Sequence, residues 1–262
     1  MAHESANLTD HPSRQPTEGE RWSRDLLDRL RAGRFRPGAW GRFLSESAGR
    51  AREVRARRPG LVRQSRRWGA AGAAAALPFG ARAVGWWAVW WAMLDWHLGM
   101  AETTDGRAQR LRAQDALTLA RLWAAPVVRR QPEPWLVAVA MATDAADGAL
   151  ARRTGPTRLG RDFDSTADTV FLAAALRGAV DRHGLDPRLV QLEWARLAIG
   201  TAVTFGHYFG ASRPAPVQDR RAPGAVLATA GTLLAVSGRT RAAAPLLVAA
   251  TGHRTVTRLL AA

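Results

Sequence analysis

Two pairs of aspartates, Asp144 with Asp147 and Asp164 with Asp168, fall within the short stretch DAADGALARRTGPTRLGRDFDSTAD. On a helix, Asp144, Asp147, Gly148 and Ala151 recur at i, i+3, i+4 and i+7, so they share one face. Asp164 and Asp168, at i and i+4, share a face of the next helix. Gly155, Pro156 and Gly160 mark the connection. A short connection makes the two helices antiparallel neighbours, and the four carboxylates can then converge. Clustered carboxylates repel one another, and burial worsens the repulsion. A divalent cation resolves that conflict. With no histidine or cysteine nearby, the oxygen donors point to Mg2+, Mn2+ or Ca2+. Arg152, Arg153, Arg158 and Arg161 flank the loop and suit phosphate oxygens. Gly148, Ala151 and Gly160 let a ligand approach the backbone closely. The chemistry implied is phosphoryl transfer, with a metal to hold a diphosphate and a carboxylate to take a proton.

A solvated acidic helix face would account for either pair alone. It accounts poorly for acids embedded in MATDAAD and DTVFLAAAL, because an ionisable group inside an apolar helix points to function. A calcium loop built on Asp162, Asp164 and Asp168 fails, since the central glycine and terminal glutamate are missing.

Helices must position these groups, and the pattern supplies them. Apolar segments run over 115–130, 134–152, 164–181, 187–211, 223–238 and 242–261, while strand signals are weak. The class expected is all-α. Several segments are shorter than the ~20 apolar residues that a lone membrane span needs, so hydropathy alone leaves soluble and membrane readings close. Loops carry Pro and Arg, as in Arg129-Arg130-Gln131-Pro132-Glu133-Pro134 and Ser212-Arg213-Pro214-Ala215-Pro216.

The preceding third of the chain is different. Residues 1–19 are polar and read as disordered, and MAHESANLTDHPSRQ lacks the apolar stretch of a signal peptide. Trp22, Leu26, Leu27, Leu30 and Phe35 define a basic amphipathic helix over 20–35, which would either lie on a membrane or pack on its own domain. Residues 47–67 are Arg-rich and suit a polybasic segment beside anionic lipid. Residues 69–100 are apolar and hold Trp86, Trp87, Trp90, Trp91 and Trp96, interrupted by Arg82 and Asp95. An interfacial helix and an aromatic core stripe both fit, and the interfacial helix is the expectation. The division expected is a basic tail over 1–67, a Trp-rich apolar helix over 68–105, and a membrane domain over 106–262.

All 38 basic residues are arginine, and the formal net charge is +16. Such an excess favours polyanionic partners. Nucleic acid is disfavoured among these, because no recognition motif accompanies the charge. The absence of cysteine excludes disulfides, thiolate zinc sites and cysteine nucleophiles.

The acidic stretch reads D-x2-D-G-x2-A-R-x7-G-x3-D-x3-D through Asp144, Asp147, Gly148, Ala151, Arg152, Gly160, Asp164 and Asp168. In all eight positions it resembles the CDP-alcohol phosphatidyltransferase signature. The likeness extends over about 110–262, and Asp115-Ala-Leu-Thr118-Leu-Ala-Arg121 is similar to the family's first core helix, where Asn commonly stands at the position of Asp115. The resemblance implies a six-transmembrane-helix core, usually dimeric, in the cell membrane. The site and the N-terminal tail would then face the cytoplasm. It implies that a CDP-linked donor, such as CDP-diacylglycerol, gives its phosphatidyl or related phosphoalcohol group to an alcohol with release of CMP, as in phospholipid biosynthesis. It implies Mg2+ or Mn2+ held by Asp144, Asp147 and Asp164. Asp168 would share a second ion and act as general base. Gly148, Ala151, Arg152 and Gly160, with Asp144, would shape the CDP site. Arg213, Arg220 and Arg221 would meet the acceptor. His207 and Tyr208 in the fourth core helix would either line the cavity or fill a satisfied core role, and the core role is the expectation. Two other readings have distinct signatures. A membrane prenyltransferase would place its acidic motifs far apart in sequence. A non-catalytic membrane protein with a lipid- or nucleic-acid-binding tail would be indifferent to the aspartates.

Overall fold

The computed structural model describes residues 17–103, 106–154, 157–206, 209 and 222–259. Among them the protein is all-α, with a single isolated bridge between Glu102 and Ala108. Four helices precede the core: α1 (Glu18–Ala32), α2 (Pro37–Arg57), α3 (Pro59–Ala76) and α4 (Ala81–Trp96). Six follow: α5 (Ala113–Arg130), α6 (Pro134–Thr154), α7 (Arg158–His183), α8 (Pro187–Phe205), α9 (Ala222–Val236) and α10 (Thr240–Leu259). These six correspond one to one with the apolar segments expected from sequence.

Helix starts follow local chemistry. Pro37, Pro59, Pro134 and Pro187 each stand first in a helix, where the missing N–H costs nothing and the fixed φ suits the turn. Thr17 caps α1 in a reciprocal box with Glu20, and Thr157 caps α7 by accepting from the Gly160 N–H at 3.0 Å. Gly184 ends α7 in the left-handed conformation, with φ of 67°.

α7 lies at the centre of the bundle, with α5, α8 and α9 against it, while α10 packs mainly on α9. One apolar cluster joins Val128 and Val137 to Phe171, Ala175, Leu176 and Val236. A second joins Leu94, Leu98 and Leu111 to Leu119, Leu122 and Leu159. The second cluster is shared between the N-terminal region and the core. Each fully buried leucine in it contributes about 1.5–3 kcal/mol. A buried charge cluster also links α8 to α10, where Glu193 takes Arg196 Nε at 2.8 Å and Arg254 Nη1 at 3.3 Å.

The N-terminal region departs from two expectations. The apolar stretch 69–100 is not one helix. Leu77–Phe79 forms a 3-10 turn, Gly80 adopts φ of 85°, and α3 and α4 fold back as a hairpin. The tryptophans turn largely inward. Trp86 Nε1 donates to the Leu122 carbonyl at 2.7 Å, Trp91 Nε1 donates to that of Ser65 at 3.2 Å, and Trp87 stacks on Trp91. Gly72 is required beneath them, because a Cβ there would collide with the indole of Trp87 and the ring of Trp123. These contacts are those of an aromatic core stripe. Similarly, the apolar face of α1 is covered by protein, with Leu26, Leu27 and Leu30 all buried.

No described helix is long and apolar enough to cross a membrane. The reason is visible in the sequence: Asp115 and Arg121 interrupt α5, Asp164 and Asp168 interrupt α7, and the described part of α9 is only 15 residues long.

The N-terminal region is tied to α7 by a buried network. Arg158 Nη1 donates to Glu102 Oε1 at 2.6 Å, Thr17 Oγ1 donates to the same oxygen at 3.0 Å, and Glu20 lies 3.5 Å from Arg158 Nε. Thr17 and Glu102 are both buried. Removing Glu102 leaves Arg158 with the more distant Glu20 as its acidic partner, so Glu102→Ala lowers unfolding stability by up to about 3 kcal/mol. Glu46→Ala, at an exposed pair with Arg29, changes it by less than about 1 kcal/mol. Denaturant unfolding of the purified chain measures both.

Candidate active site

The aspartates come from two consecutive helices, α6 and α7. Asp144 projects from α6, one helical stretch before the connection to α7, and Asp164 and Asp168 project from the first turns of α7. One carboxylate oxygen from each of the three can be chosen so that all lie within 4.8 Å of one another. About a third of each side chain is exposed: 33% for Asp144, 38% for Asp164 and 33% for Asp168. The cage is therefore open on one side.

Its closed side is Arg121 of α5, whose side chain is only 3% exposed. Nη1 donates to Asp144 Oδ1 at 3.1 Å, Nη2 donates to Asp164 Oδ1, and Nε lies 3.3 Å from Asp168 Oδ1. One planar guanidinium thus meets three carboxylates from two helices, using the fork geometry peculiar to arginine. Sequence reasoning met Arg121 only as part of a family-like helix and gave it no task. Its signal was present all the same, since an arginine inside an apolar segment must find an acidic partner.

Asp115 has a different position. It is buried at the start of α5, where Oδ2 accepts from the Arg112 N–H at 2.7 Å and Oδ1 accepts from Thr157 Oγ1 at 3.0 Å. It caps its own helix and holds the cap of α7. Gly160 is needed for that approach, because a Cβ there would lie 2.7 Å from Asp115 Oδ1. Gly160 therefore joins α7 to α5, whatever ligand it also meets.

Arg158, expected to face phosphate, is engaged with Glu102, Glu20 and Thr17. Asp147, Gly148, Ala151 and Arg152 belong to the last turns of α6. Their side-chain positions, like those of Arg153 and Arg161, lie outside the described residues. His207, Tyr208, Arg213, Arg220 and Arg221 lie outside them as well.

The donor set fits a hard divalent cation. It is all carboxylate oxygen, convergent and open to ligand on one side, and three carboxylates less one guanidinium leave two negative charges for such an ion to balance. A divalent ion held there would polarise a phosphoryl oxygen. Comparison with known families agrees. The model of the CDP-alcohol phosphatidyltransferase family matches residues 115–254, more than half of the chain, and the chain belongs to that family. It is therefore an enzyme of a membrane-associated family that transfers a phosphoalcohol from a CDP-linked donor to an alcohol. No curated protein and no solved structure matches the chain.

Gly160→Ala tests the local geometry. The added methyl forces Asp115 or the start of α7 to move, at a cost of about 1–3 kcal/mol. Thermal unfolding should show the loss, and an unchanged midpoint would contradict the close approach.

Proposed function

We propose that the protein is a multi-pass membrane enzyme of phospholipid biosynthesis, moving a phosphatidyl or related phosphoalcohol group from a CDP-linked lipid such as CDP-diacylglycerol to an alcohol. The observation that carries this reading is the convergence of Asp144, Asp164 and Asp168 on neighbouring helices within the family's own signature. Mg2+ or Mn2+ at these carboxylates, with Asp147, would polarise the donor phosphate and offset charge on the leaving group. Asp168 takes the proton of the acceptor hydroxyl. The alcohol oxygen bonds to the phosphorus that carries the lipid alcohol, the bridging bond to the second phosphate breaks, and CMP leaves with the electron pair. Asp168 suits this task because its side chain is 33% exposed, within reach of an acceptor hydroxyl. Gly148, Ala151, Arg152 and Gly160 line the approach of the CDP moiety in this reading. Arg213, Arg220 and Arg221 face the acceptor.

The membrane setting draws support from the outer surface of the core. Trp135, Val139, Trp194, Ile199, Val226 and Val248 are all exposed, an apolar surface that lipid would cover. In this reading residues 106–262 form the membrane domain, usually paired as a homodimer. Residues 1–67 and the site face the cytoplasm, where the arginines meet anionic lipid. The Trp-rich hairpin packs between tail and core. The two alternatives fit less well, because all four acids fall in one helix pair and the family match covers them.

Purified protein should release CMP from CDP-diacylglycerol in the presence of Mg2+ or Mn2+ and one of a panel of alcohol acceptors. Absence of release with every acceptor would overturn the reading. Asp168→Asn should lower turnover by about a hundred- to ten-thousand-fold, the range spanned by general acid–base catalysis. Near-normal turnover would remove Asp168 from the role of base.

A further inference from the structure

The buried guanidinium in the carboxylate cage asks for a role of its own. Three aspartates bring three negative charges within 4.8 Å, and Arg121 touches every one of them from the closed side. Any cation entering from the open side meets carboxylates already engaged, and it also meets a positive charge behind them. We propose that Arg121 is the resident counter-cation of the site: it keeps the three carboxylates together before metal binds, and it holds their affinity for a divalent ion down. This rests on the metal-binding reading of the cluster and assigns Arg121 a positioning role within it.

Two opposed effects decide the sign. Arg121 aligns the carboxylates, which favours metal. Its charge repels a doubly charged ion a few ångströms away, which disfavours metal. Repulsion between a single and a double charge at that range exceeds the net worth of the hydrogen bonds that align the acids. Removing Arg121 should therefore tighten metal binding while weakening the metal-free fold. A functional consequence follows. With Arg121 present, metal alone binds weakly, and the negative diphosphate of the donor restores the balance. Metal and donor then reinforce each other's binding, and thermodynamic reciprocity requires the effect to be mutual.

The test uses the full-length purified chain with Mn2+ alone, read by electron paramagnetic resonance and by thermal unfolding in chelator. Arg121→Gln should bind Mn2+ at least about tenfold more tightly than the unaltered chain, the direction expected when one charge near the ion is removed. It should melt at a lower temperature in chelator and gain more from added Mn2+. Arg121→Lys keeps the charge and should stay near the unaltered affinity. The double variant Arg121→Gln with Asp144→Asn has the same net charge as the unaltered cage, so it should recover melting temperature in chelator even if the single variant does not fold. Equal or weaker Mn2+ binding by Arg121→Gln overturns the proposal, and so does failure of the double variant to recover. If the unaltered chain and all variants bind no Mn2+, the metal reading falls and this proposal falls with it.

Discussion

Like charges must be held together here, and the fold is arranged around that requirement. Two carboxylates 4–5 Å apart repel by roughly 3–4 kcal/mol at the effective dielectric of a protein surface. Three such pairs rival the whole stability of a domain, about 5–15 kcal/mol. A buried cation between the acids turns a net repulsion into a net attraction, and Arg121 supplies it. For its guanidinium to reach both α6 and α7, α5 must lie against each of them, and it does. Asp115 and Thr157 then fix how far α5 and α7 are offset along their axes. The geometry of the carboxylate cluster and the core packing are thus consequences of the same contact.

The N-terminal region takes part in this arrangement rather than trailing from it. Its Trp-rich hairpin packs on α5 through the Leu122 carbonyl and the ring of Trp123. The cap of α1 and the segment around Glu102 enclose Arg158 at the first residue of α7. The helix bearing Asp164 and Asp168 is therefore located from both sides, by α5 within the family domain and by α1 outside it. An arginine that looked available for phosphate becomes a structural anchor, because two glutamates far away in sequence neutralise it.

What could be read from sequence was local. The acidic motif, the face shared by Asp164 and Asp168, and the six core helices followed from spacing and from Pro and Gly punctuation. The hairpin between α3 and α4 was readable too, since Leu77-Pro78-Phe79-Gly80 carries a break. The apolar composition on either side of it masked that signal. The partners of Arg121, Arg158 and Glu102 lie between 23 and 141 residues away in the chain. No periodicity encodes pairings at such separations. Charge counting showed that the arginines needed partners, but it could not say which partner each would take.

The exclusive use of arginine gains meaning from the cage. A lysine ammonium is a compact point charge and cannot address three carboxylates from two helices in fixed directions. A guanidinium offers separate N–H vectors on Nε, Nη1 and Nη2: Arg121 donates from Nη1 to Asp144 and from Nη2 to Asp164, while its Nε stands 3.3 Å from Asp168. The same property serves Arg158, which meets Glu102 and Glu20 together, and Arg50, which meets Glu18 and Glu53. Each of these residues joins at least two acids instead of neutralising one. A chain with few acids and many arginines can then use single cations as cross-links between helices. The most buried of these cross-links stands where the carboxylates must also remain open to a ligand.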